Sequence, residues 1–159
     1  MLNPNQAAPD FSCANQNDTT VKLCDFAGKK TVVLYFYPKD DTPGCTIEAN
    51  QFTALASEFA AIDTVILGVS KDDCASHRAF IDKYGLEVDL LADTDGELCA
   101  AYGVWQEKEK NGEKKMGIVR STFVIDQSGQ IIRAEYGVTA DGHAQEILGW
   151  LKAREAASA

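Results

Sequence analysis

The longest uninterrupted apolar run is Thr31-Val32-Val33-Leu34-Tyr35-Phe36-Tyr37, β-branched and aromatic with no polar alternation. That pattern predicts a strand over 31–37 buried on both faces, ended by Pro38. Downstream the period changes. Phe52, Leu55, Ala56 and Phe59 recur at helical spacing and predict a helix over 43–60. A strand over 63–70 follows, then a helix over roughly 73–84 that puts His77, Phe80, Ile81 and Tyr84 on one face. Leu90-Leu91 suggests a short strand and 96–102 a short helix. Two strands, 121–126 and 130–136, form a hairpin through Gln127-Ser128-Gly129, and a final helix over about 141–155 buries Ala144, Ile147, Leu148 and Leu151. Before all of these, residues 10–13 and 21–23 read as an early hairpin. A β-α-β start closed by a hairpin and a helix predicts an α/β fold, a mixed central sheet with helices on both faces. The charge-dense segment Gln106–Lys115, with both signs interleaved around Asn111-Gly112, reads as a solvated hairpin or loop.

The junction between the first long strand and its helix carries the chemistry. In Pro38-Lys39-Asp40-Asp41-Thr42-Pro43-Gly44-Cys45, Thr42 is placed to cap the helix and Pro43 to occupy its first position. Cys45 then falls in the first turn, where backbone N–H groups lack intrahelical partners and the helix dipole favours an anion. A thiol there gains thiolate, and so nucleophilic, character. Cys45 also lies seven residues before Phe52, on the apolar stripe, so its sulfur faces the fold in a partly shielded pocket. The competing reading is a small buried hydrophobe. Asp40 and Asp41 oppose a thiolate unless both point to solvent, where screening weakens them. Gly44 eases unwinding of the first turn. Tyr35, Phe36 and Tyr37 read as packing, with one of them lining the pocket. Arg120, ahead of the strand Ser121-Thr122-Phe123-Val124-Ile125, reads in isolation as a solvated strand end.

Composition narrows the class. With 159 residues, 45% of them hydrophobic, and no linker or composition break, one domain over 1–159 is expected. Fifteen Lys and Arg against 24 Asp and Glu give a net charge of -9, which disfavours nucleic acid and anionic membranes as partners. The amino end has neither a basic start nor an apolar run, and no later segment approaches membrane-spanning length, so a soluble, cytoplasmic protein is expected. Five cysteines, an odd count without close pairs, argue against a secreted disulfide framework, a zinc site or a Cys-x-x-Cys centre. His77, on an apolar helical face, reads as a hydrogen-bonded semi-buried residue, and His143 adds nothing to a metal case.

Pro38, Thr42 and Cys45 match the Pro-x-x-x-Thr-x-x-Cys signature, and Tyr37 to Thr46 followed by Glu48 and Ala49 resembles peroxiredoxins of the bacterioferritin comigratory (PrxQ) type. The resemblance continues through Ala8-Pro9-Asp10-Phe11, Gly68-Val69-Ser70, residues 98–105 and residues 120–126, nearly the whole chain in order. It implies a thioredoxin-like fold and a thiol-dependent peroxidase for hydrogen peroxide and organic hydroperoxides, with no metal, flavin or haem. On this resemblance Cys45 is the peroxidatic cysteine that becomes a sulfenic acid, Thr42 supplies the hydroxyl that hydrogen-bonds peroxide, and Arg120 holds thiolate and peroxide. Pro38, Pro43 and Gly44 shape the loop.

The chain departs from the family in one respect. The two positions where such proteins carry a resolving cysteine correspond here to Asn50 and Ile81. Of Cys13, Cys24, Cys74 and Cys99, Cys74 at the start of its helix is the candidate resolving thiol, and Cys99 reads as packing. The favoured expectation is a one-cysteine cycle, with thioredoxin, or glutaredoxin with glutathione, as reductant, in a monomer or weak homodimer. Two alternatives stay open: a non-enzymatic redox sensor or client-binding module on the same fold, and a thiol–disulfide oxidoreductase, which the missing Cys-x-x-Cys weakens.

Overall fold

The computed structural model describes residues 2–158. A five-stranded sheet forms its centre, in the order β5-β4-β3-β8-β9. β3 (Thr31–Phe36) is the middle strand, parallel to β4 (Thr64–Ser70) and antiparallel to β8 (Ser121–Ile125). β5 (Asp89–Ala92) extends the parallel side beyond β4, and β9 (Ile131–Tyr136) pairs antiparallel with β8.

The absence of polar alternation in β3 follows from its position. Val33, Tyr35 and Tyr37 enter one core with Cys45, Phe52, Phe59, Phe80, Ile147 and Leu148. Val32, Leu34 and Phe36 enter another, on the opposite face, with Phe11, Leu91, Cys99, Tyr102 and Phe123. The first core is covered by α1 (Pro43–Ala54), α2 (Ala56–Ala61), α3 (Cys74–Tyr84) and α5 (His143–Ser158). The second is covered by α4 (Glu97–Ala101) and the short hairpin of β1 (Ser12–Ala14) and β2 (Thr20–Lys22). The charged segment forms a separate two-stranded ribbon, β6 (Trp105–Lys110) with β7 (Glu113–Ile118).

One expected element divides. The predicted helix over 43–60 breaks at Leu55, whose φ of -103° and ψ of 5° leave the helical region. The break redirects the chain so that Phe59 joins Phe52 in the core, ring centroids 5.9 Å apart, while Thr53 near the end of α1 accepts a hydrogen bond from the Glu87 N–H at 3.0 Å. No helix among the described residues is long and apolar enough to cross a membrane.

Candidate active site

Cys45 sits at the third position of α1, after Thr42 at the N-cap and Pro43 at the first turn, and is 2% exposed. The buried stripe of α1 is Cys45, Glu48, Ala49 and Phe52, spaced i, i+3, i+4 and i+7. It faces β3, where Tyr35 stacks on Phe52 with centroids 4.7 Å apart. Gly68 on β4 makes room for this: a Cβ there would lie 2.8 Å from the Tyr35 hydroxyl and from Leu90.

Arg120 reaches the same spot from the start of β8. The register pairs Phe36 with Ser121 and Tyr35 with Thr122, so Arg120, Thr122 and Val124 share the face that carries Cys45. Its Nη2 donates to the Cys45 sulfur at 3.3 Å and its Nη1 to Glu48 Oε1 at 2.8 Å. The solvated strand end suggested by Arg120 in isolation is therefore corrected: strand pairing carries the guanidinium inward. A Cβ on Gly44 would stand 3.0 Å from Arg120 Nη2, so glycine at this position admits the guanidinium.

Glu48, which the sequence offers only as part of the family match, is the site residue to which sequence reasoning gave no role. Its side chain is wholly buried, and only Oε1 has a partner among the described residues; Oε2 and the nearby Tyr35 hydroxyl have none. Burial pushes its carboxyl from about 4.5 up to about 7, against the pull of Arg120. The 2.8 Å contact is thus an ion pair above that pH and the hydrogen bond of a neutral acid below it. Desolvation lowers the Arg120 guanidinium, but Glu48 and Cys45 more than reverse this, so it stays charged. The available signal was a charged residue at i+3 from Cys45 on an otherwise apolar stripe.

The raised carboxyl has a consequence for stability. Between pH 4.5 and 7 the folded chain keeps a proton on Glu48 that the unfolded chain has released, so this group lowers stability as pH rises through that window and adds no further slope above it. Glu48→Gln, whose amide oxygen still accepts from Arg120, removes that contribution. Urea unfolding at a series of pH values shows a flatter profile for the variant between these limits, by on the order of 1–3 kcal/mol at the upper end.

Thr42 occupies the N-cap, but its side chain does not bond the helix; its Oγ1 donates back to the Lys39 carbonyl at 2.8 Å. With its own hydrogen engaged, the hydroxyl offers lone pairs, which suits it to accept from a peroxide O–H. The two aspartates separate. Asp41 is exposed, whereas Asp40 is buried, so only one of the two carboxylates meets the condition of pointing to solvent. His143 is buried beside Thr122, Nε2 to Oγ1 2.8 Å, and desolvation lowers its basicity, leaving a neutral ring.

All five cysteines are free thiols. Cys74 begins α3, and its sulfur approaches Asp18 Oδ1 at 3.9 Å in the β1–β2 turn. Burial and then nearby carboxylates raise its titration point; they push Cys13 up to about 12 and raise Cys99 further. Cys99 is packed in the core opposite Cys45, and Cys24 is exposed in a 3-10 turn.

Cys45 thus lies in the first turn of a helix, shielded from water and held by a guanidinium on a thioredoxin-like sheet. The AhpC/TSA family model covers residues 4–134, and the chain belongs to that family as a peroxiredoxin. Its likeness within the family is to the Bcp or PrxQ type. It is 45% identical over 147 residues to a putative peroxiredoxin bcp of Helicobacter pylori, covering 92% of this chain and 96% of the relative. Identity to the peroxiredoxin Bcp of Bacillus subtilis is also 45% over 147 residues, covering 92% and 93%. A solved peroxiredoxin Q of Xanthomonas campestris superposes with a TM-score of 0.86 at 41% identity over 91% of each chain. PrxQ of Xylella fastidiosa does so with a TM-score of 0.92 at 36% identity over 98% of each.

Proposed function

We propose that this protein is a thiol-dependent peroxidase that reduces hydrogen peroxide and organic hydroperoxides through a sulfenic acid on Cys45. The observation that carries the reading is the donation from Arg120 to the sulfur of a cysteine in the first turn of a helix. A solved bacterioferritin comigratory protein of Xanthomonas campestris is described by its alkyl peroxide reduction activity, which supports the same substrate class here.

The Cys45 thiolate attacks one peroxide oxygen; the S–O bond forms as the O–O bond breaks, and the leaving oxygen departs as water or alcohol after taking a proton. Charge moves from sulfur toward that oxygen during the step. Arg120 already donates to the sulfur at 3.3 Å and needs no reorganisation to stabilise that charge. Thr42 accepts from the peroxide O–H and orients the attack. One external thiol then condenses with the sulfenic acid, releasing water and leaving a mixed disulfide, which a second thiol reduces back to the Cys45 thiol.

A one-cysteine cycle is supported by the remaining thiols. An attacking thiol acts as its thiolate, and the upward pushes on Cys13, Cys74 and Cys99 leave little of that form near neutral pH. The reductant is thioredoxin, or glutaredoxin with glutathione, and the protein acts in the cytoplasm as a monomer or weak homodimer.

Peptide mapping after one equivalent of hydrogen peroxide, with a sulfenic-acid trap present, tests the assignment. The expected product is a trapped adduct on Cys45 alone, with many equivalents of peroxide consumed once a thiol reductant is supplied. A disulfide between Cys45 and Cys74 would replace the one-cysteine cycle, and an unmodified Cys45 would overturn the peroxidase reading.

A further inference from the structure

A second cluster of buried polar side chains lies between the active-site loop and α3, and the chemistry above leaves it unused. Asp40 and His77 are 7% and 0% exposed, with Asp40 Oδ2 2.7 Å from His77 Nδ1. The hydrogen positions follow from the partners. His77 Nε2 lies 2.8 Å from the Leu91 carbonyl on β5, which only accepts, so Nε2 carries a hydrogen. Without a proton between them, Nδ1 and Oδ2 would oppose lone pair to lone pair at 2.7 Å. Asp40 also accepts from the Tyr37 hydroxyl at 2.6 Å and from Ser76 Oγ at 2.8 Å, so its carboxyl is used as an acceptor on every side.

The same pair fastens the loop. The Asp40 N–H donates to Asp72 at 2.8 Å, and Asp72 accepts from Ser70 at 2.7 Å at the end of β4. The next residue, Asp41, adopts the left-handed region with φ 57°, so its side chain turns outward, to Lys83 at 2.7 Å and Tyr84 at 2.6 Å. The loop is thus attached to both ends of α3, and the inner attachment requires a proton. Around that attachment lie Tyr37 from β3, Asp72 beyond β4, Asp73 at the N-cap of α3, the Leu91 carbonyl on β5 and, farther along the same face, Tyr35.

We propose that Asp40 and His77 are positioning residues: an imidazolium–carboxylate clasp that holds residues 38–42 against α3 so that the first turn of α1 is wound when peroxide arrives. The inference rests on Cys45 as the reacting thiol. Asp40→Asn is the informative variant. Its amide N–H can donate to Nδ1 of a neutral imidazole while its oxygen accepts from Tyr37, keeping the clasp and discarding its proton. His77→Leu removes the clasp.

Nitrogen-15 spectra of the histidine rings in the full chain, hydrogen-exchange protection across residues 38–46, and the rate of Cys45 oxidation by hydrogen peroxide test this together. In the unaltered protein both His77 nitrogens are expected to carry a hydrogen, and in Asp40→Asn only Nε2. His77→Leu is expected to lose at least about tenfold in loop protection and in oxidation rate, while Asp40→Asn keeps both within about threefold of the unaltered protein. A His77 ring neutral at Nδ1 in the unaltered protein would overturn the proposal, as would loop protection and oxidation unchanged in His77→Leu. If Cys45 does not react with peroxide at all, the peroxidase reading fails, whereas the ring spectra and loop protection still judge the clasp.

Discussion

Cys45→Ser leaves a folded protein that no longer consumes peroxide, with steady-state turnover down at least about a thousandfold, which corresponds to about 4 kcal/mol of barrier. The substitution is close to isosteric, and a serine hydroxyl can still accept the Arg120 hydrogen bond now made to sulfur at 3.3 Å. What disappears is nucleophilicity, since an alkoxide is not formed near neutral pH and a neutral hydroxyl does not displace at peroxide oxygen. Peroxide consumption in the presence of a thiol reductant reads the loss, and thermal unfolding of the variant separates it from misfolding. Residual turnover at the unaltered rate would assign the chemistry to another thiol.

Arg120→Ala is expected to slow oxidation of Cys45 by about a hundred- to a thousandfold, the range associated with removing one preorganised donor from developing negative charge. Two contacts vanish at once, the 3.3 Å donation to sulfur and the 2.8 Å pair with Glu48. Glu48 is then left buried without its partner and becomes the neutral acid over a wider pH range. Stopped-flow oxidation and the rate of Cys45 alkylation with iodoacetamide should fall together. Arg120→Lys does not restore the rate, because a single ammonium cannot reproduce two donors fixed in one plane, one aimed at sulfur and one at Glu48.

Much of the architecture was legible because it rests on local pattern. The two-faced strand 31–36, the Pro43 helix start and the hairpin of β8 and β9 through Gln127-Ser128-Gly129 are short-range signals, and the structure has them close to where the pattern put them. Cys45 was legible for the same reason. Arg120 entered through family resemblance, since nothing local distinguishes an arginine carried inward by strand register from one at a solvated strand end. Glu48 stayed hidden because a glutamate on a helix ordinarily marks the wet face. Asp40 and Asp41 are chemically identical neighbours; the positive φ at Asp41 sends one outward and leaves the other buried, a backbone choice that composition does not encode. The break at Leu55 was likewise invisible, since Leu55 and Ala56 continue a helical pattern.

The pairing of β3 with β8 joins two parts of the site that lie 75 residues apart in the chain. On the proposed chemistry, a ribosome synthesising this protein makes the Cys45 sulfur before it has made the guanidinium that would activate it. The half-made chain would then carry an ordinary thiol, slow toward peroxide. Long-range pairing of this kind forms slowly, so on that chemistry the completion of folding would itself switch reactivity on.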